Sequence, residues 1–168
     1  GDGTSTNRYA PTQTATLGTN RTAVAISADL HTCVVLDNGG ISCWGHGYSG
    51  RLGNGGNADS NVPTLATNLT NSRTAVAISV GGEHSCAILD DSSVACWGSG
   101  GSNASTRPPS QVSRYRYGPL GHGLHTNLLI PTQISGFGQG KDVIGISAGN
   151  RHTCALLDNL SIVCTGEN

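Results

Sequence analysis

An all-β protein, built from about three small four-stranded antiparallel sheets, is the fold this 168-residue sequence predicts. Three observations predict it: a turn-rich composition, a unit that recurs three times, and three cysteine pairs of one spacing. Only 11% of the residues are charged, 36% are hydrophobic, 25 are glycine, none is methionine, and Lys141 is the single lysine. Long helices place Leu, Glu, Lys and Met at many exposed positions, whereas Gly, Ser, Thr and Asn favour turns and half-exposed strands. A net charge of −1 offers no basic field for nucleic acid or an anionic membrane. No apolar run approaches the roughly 20 residues of a membrane-spanning helix. A protein partner or further copies are therefore expected, with no nucleic acid and no membrane insertion. The start at Gly1 rather than Met suggests a processed or partial chain, which is compatible with a cleaved export signal.

The repeat is read from its own offsets. Ala23–Gly45, Ala75–Gly98 and Asp142–Gly166 align, around the cores HTCVVLDNGGISCWG, HSCAILDDSSVACWG and HTCALLDNLSIVCTG. Gly3 to Pro11, Gly55 to Pro63 and Gly123 to Pro131 each span eight positions, and a Thr follows every proline. From those prolines to Ser27, Ser79 and Ser147 the step is sixteen each time. The period is 52 from Gly3 to Gly55 and 68 from Gly55 to Gly123, the excess lying mainly in an insertion between Trp97 and Gly118.

Four short strands are expected per unit, in the second Ala75–Ser79, His84–Leu89, Val94–Trp97 and Ile130–Ile134. Asp37-Asn38-Gly39 suits the hairpin between the middle two, because Asn and Gly tolerate positive φ. Four strands in about 50 residues match a β-propeller blade, which must stack on its neighbours to bury both faces. The expected division is 1–22 as the outer-strand end of a preceding blade, 23–74 as blade one, 75–141 as blade two with insertion 99–117, and 142–168 as the inner strands of an incomplete third.

The run Gly81–Asp90, then Val94–Gly98, Gly118–Gly123 and Pro131, resembles the repeat of the regulator of chromosome condensation family. Gly50-Arg51-Leu52-Gly53-Asn54-Gly55 supplies the same glycine-rich element in the first unit. The resemblance implies blades of a propeller, typically of seven, in proteins that act as exchange factors, light sensors, inhibitors or interaction platforms. The paired cysteines look more like an extracellular bacterial branch than the nuclear one. Thr165 stands where the other units have Trp44 and Trp97, and one residue is missing before His31. Three blades leave two open ends, so either this is part of a longer chain or the incomplete ends complete one another between subunits, in a larger propeller, ring or filament. In the second case the segment around Tyr9–Thr14 would supply the outer strand to the Cys154–Cys164 hairpin of a neighbour.

Cys33 and Cys43, Cys86 and Cys96, and Cys154 and Cys164 are each ten apart. A hairpin turn at Asn38, Asp91 or Asn159 sets each pair opposite across two strands, close enough for a disulfide. That pairing, and the lack of a Cys-x-x-Cys knuckle for zinc, imply an oxidising compartment and hence a secreted protein, extracellular or at the cell surface. Asn20, Asn68, Asn103 and Asn159 head candidate glycosylation triplets.

His31, His84 and His152 recur once per unit, as a structural histidine would. Glu83-His84-Ser85 hints at a nucleophile, but its counterparts Leu30-His31-Thr32 and Arg151-His152-Thr153 lack the acid. His122 and His125 have no third ligand nearby, and the glycines of 50–56 and 118–123 precede neither a Gly-Lys-Ser/Thr nor a helix. No catalytic residue, metal or cofactor is expected. Candidate partner-binding residues are Arg107, Arg114, Tyr115, Arg116 and Tyr117 in the insertion, with Tyr48 and Arg51 in a blade-top loop. The function expected is that of an extracellular, non-catalytic structural or interaction protein assembling by blade stacking and strand complementation. A binding or inhibitor propeller using the 99–117 loop is the alternative, and nucleotide exchange on a GTPase follows from the resemblance alone.

Overall fold

Runs such as AVAISA, HTCVVL and ISCWG send successive side chains to opposite faces of a short pleated strand. In the computed structural model, which describes residues 1–67, 69, 72–101 and 118–167, they become β1 (Ala23–Ala28), β2 (His31–Leu36) and β3 (Ile41–Gly45). Then follow β4 (Ser60–Leu65), β5 (Ala75–Val80), β6 (His84–Leu89), β7 (Val94–Gly98), β8 (Leu128–Ile134), β9 (Val143–Ala148), β10 (His152–Leu157) and β11 (Ile162–Gly166). All pairings are antiparallel, giving sheets of order β1-β2-β3-β4, β5-β6-β7-β8 and β9-β10-β11 among the described residues. The all-β fold of four-stranded antiparallel blades is thus present. β6 has its expected bounds, while β5 and β7 run one residue further and β8 starts two earlier.

Pro63 and Pro131 lie in β4 and β8, the outermost strands, where a missing N–H leaves no neighbouring strand unpaired. The middle hairpins turn through Gly39 at φ 75°, Ser92 at 62° and Leu160 at 66°, equivalent positions of which only the first is glycine. Register places Cys33 opposite Cys43, Cys86 opposite Cys96 and Cys154 opposite Cys164. The three pairs are bonded, with Cα–Cα separations of 4.2, 4.1 and 4.1 Å.

Apolar burial lies between the sheets. Cys33, Val35, Ile41 and Cys43 of the first pack with Ala87, Leu89, Ala95 and Trp97 of the second, and Leu52 fills the space between. On its other face the second sheet sets Cys86, Ile88, Val94 and Cys96 against Val143, Ala155 and Leu157, with Leu120 as the filler. Leu52 and Leu120 come from the two equivalent glycine-rich loops. On the front of sheet one, Val34, Leu36 and Trp44 are covered by Leu17. No strand forms over Tyr9–Thr14, and sheet three has three strands.

Candidate functional site

The joints between sheets hold the most ordered polar chemistry in the described residues. His31 and His84 open the central strands of their sheets, each followed by a hydroxyl residue in the same strand. Because side chains alternate along a strand, the ring points to the following sheet and the next hydroxyl to the preceding one. His31 Nε2 lies 2.6 Å from Ser85 Oγ, and His84 Nε2 lies 2.6 Å from Thr153 Oγ1. Ser85 donates its proton to the carbonyl of Arg51 (3.1 Å), and Thr153 donates to that of Pro119 (2.8 Å). A hydroxyl has one proton to give, so in each joint the imidazole must donate from Nε2. Both histidines are therefore neutral Nε2–H tautomers, each with a bare Nδ1 that has no hydrogen-bond partner.

Protonation would place an N–H at that unpartnered, buried Nδ1. Burial accordingly pushes His31 down to about 3, with the charges of Arg51 and His84 acting the same way. It pushes His84 down to about 4, with His152 contributing. Both rings therefore stay neutral near pH 7.

A second contact repeats beside the first. Ser27 Oγ accepts the N–H of Val80 (3.0 Å), and Ser79 Oγ accepts that of Ala148 (2.8 Å). Trp97 Nε1 donates to the Arg51 carbonyl (2.9 Å), so one carbonyl serves both the hydroxyl and the indole. Thr165 occupies the indole's place in sheet three, lying close to Gly121. Arg151 lies between Glu83 and Glu167, 3.5 Å from each. These joint hydroxyls have two sequence signals, the constant Ser sixteen residues after each Pro and the Thr or Ser after each His, neither of which identifies the group it touches.

Arg51, a candidate for partner binding, is 5% exposed. Its guanidinium donates to the carbonyls of Tyr48 (2.8 Å) and Gly82 (2.9 Å), which makes it part of the first joint. Tyr48 stands out from the same loop at 72% exposure. Arg107, Arg114, Tyr115, Arg116 and Tyr117 lie outside the described residues, as do Asn68 and Asn103. Asn20 and Asn159 are exposed, Asn159 with its carbonyl oxygen engaged by Ser161. The Glu83-His84-Ser85 triplet does not converge: His84 reaches Thr153, and Ser85 answers to His31. His122 bonds within its own loop, to the Thr126 carbonyl at 3.2 Å, and His125 is exposed. Among the described residues no three His, Cys, Asp or Glu side chains cluster as a metal site, and no helix is long and apolar enough to cross a membrane.

The sequence profile of the regulator of chromosome condensation (RCC1) repeat matches residues 38–88 and 115–156, and a second profile of the same description matches residues 75–104. The human E3 ubiquitin-protein ligase HERC2 is 31% identical over 142 residues, covering 84% of this chain and 3% of that protein. Among solved structures, human WBSCR16 superposes with a TM-score of 0.71 at 18% identity, covering 89% of this chain and 34% of that one. Yeast RCC1 (Prp20), solved bound to Kap60, gives 0.64 at 18% identity, with 86% and 32% covered. This chain thus spans about a third of those two structures and a small part of the ligase. With the profile covering more than half of its residues and the blades laid out as described, the chain belongs to the regulator of chromosome condensation (RCC1) repeat family.

Proposed function

We propose that this chain is an extracellular, non-catalytic structural and interaction protein whose blades stack onto those of further copies. A role in protein interaction or regulation is what such repeats suggest, and yeast RCC1 was solved on a protein partner. The observation that carries the finer reading is the uncovered rear of sheet three. Leu156 and Ile162 are 37% and 67% exposed there, whereas their counterparts in sheet two, Ile88 and Val94, are 5% and 1% exposed. Apolar positions that bury in one sheet and stand open in the next favour a partner that completes the stack.

Three disulfides support an oxidising location outside the cell. The non-catalytic reading is supported by the histidines, which are neutral and committed to hydroxyls of the next sheet. The test is native mass spectrometry with sedimentation over a range of concentrations. Particles at multiples of the 17.1 kDa chain are expected, growing with concentration. A chain that stays monomeric at every concentration would refute assembly.

A further inference from the structure

The two joints inside the molecule are copies of one another, and a third set of the same groups faces outward. His152 and Ser147, on the rear of sheet three, are the counterparts of His84 and Ser79, and both are exposed. The His152 ring is already held in place, since it lies against Gly149 as the His84 ring lies against Gly81. On the front of sheet one, Thr32 and Ala28 are the counterparts of Thr153 and Ala148, with Ile26 68% exposed beside them. No imidazole reaches Thr32 among the described residues.

We propose that a second copy of this chain docks its sheet one on the rear of sheet three through a third clasp, His152 Nε2–H donating to Thr32 of the partner subunit. In the same joint Ser147 Oγ accepts the N–H of Ala28 of the partner subunit, and residues 8–14 of that subunit add as the fourth strand beside β11. This deepens the assembly reading and rests on it.

The strand register follows from the two complete sheets. Cys43 pairs with Thr64 and Cys96 with Thr132. Subtracting the repeat offset sets Thr12 of the partner subunit opposite Cys164. Ala95 pairs with Gln133 and Val94 with Ile134. Gln13 then falls opposite Val163 and Thr14 opposite Ile162. The segment is suited to the role: residues 8–13 are exposed and in no strand, and they include Pro11 at the place where β4 and β8 hold Pro63 and Pro131. The occupant is a copy of this chain because the complementary hydroxyl, amide and apolar side chains are all found at the required spacing on its own front face. The joint also continues two interfaces already made by the same residue types.

Two measurements test it on the 168-residue chain. His152→Ala and Thr32→Val each remove one side of the clasp at a site not buried in the single copy. Each should raise the concentration at the midpoint of assembly roughly five- to tenfold, the net value of one hydrogen bond. The double variant should rise no further than the singles. Separately, Thr14→Cys with Ile162→Cys should give an oxidised ladder of dimers, trimers and longer chains on a non-reducing gel. Either cysteine alone should stop at dimers, and Gln13→Cys with Ile162→Cys should cross-link poorly. If particles form but ignore both substitutions, or the ladder prefers the shifted pair, this joint is wrong while assembly stands. If the wild-type chain never leaves the monomer, both fall.

Discussion

Sheets two and three are nearly the same sequence in different surroundings. HSCAIL and VACWG are buried at every residue, whereas HTCALL alternates between buried and open positions and IVCTG has no buried residue. Their registers agree pair by pair, from His84 opposite Gly98 to His152 opposite Gly166. Burial here is set by a blade's place in the stack, with little contribution from its own pattern. A blade closes its hairpin and its disulfide alone, but it acquires a core only from neighbours on both sides.

The largest test of that contrast is the indole. Trp97 is fully buried and donates to Arg51, so Trp97→Ala should cost roughly 4 kcal/mol in denaturant unfolding. Thr165→Ala, at the same place in sheet three, should cost under about 1 kcal/mol. Equal losses would mean that sheet three is as fully packed as sheet two.

Acid should test the joints next. The folded pKa values of His31 and His84, about 3 and about 4, lie below the usual 6.5, so the unfolded chain binds more protons between them. Stability from these groups is complete above about pH 6.5 and falls as pH drops below it, until the folded forms titrate. From neutrality to about pH 5.5 the two together should lose on the order of 3 kcal/mol. His84→Asn should remove about half of that slope and leave the His31 half in place. A slope unchanged in His84→Asn would show that this ring is not held neutral in the joint.

The smallest effect concerns the turns. Leu160 holds φ at 66° with its side chain 77% exposed, in the position that Gly39 fills in sheet one. Leu160→Gly relieves a left-handed backbone at little packing cost, so it should raise stability by roughly 0.5–1 kcal/mol. Loss of stability would mean that this leucine is covered by a neighbour.

Much of the fold could be read from offsets. The Pro-to-Ser step of sixteen and the ten-residue cysteine spacing describe strands and hairpins whose geometry is local, and β6 falls where its pattern places it. Arg51 could not be read that way. An arginine in a glycine-rich loop looks like a surface anchor until the loop is folded over the next sheet, where the carbonyls of Tyr48 and Gly82 hold it. The clasps were half legible: His-Thr/Ser-Cys recurs in the sequence, but a hydroxyl that answers the ring 54 positions earlier is a contact between blades. A blade's own pattern carries no record of its neighbour's approach.

The direction of those ring-to-hydroxyl bonds gives the molecule an arrow. In both joints the imidazole belongs to the earlier sheet and the hydroxyl to the later one, so front and rear are unlike surfaces. Two fronts brought together offer hydroxyls without rings, and two rears offer rings without the front-face hydroxyls that answer them. Any stack extended by this chemistry is polar, with chemically distinct ends, and a two-fold pairing of like faces gains nothing from it.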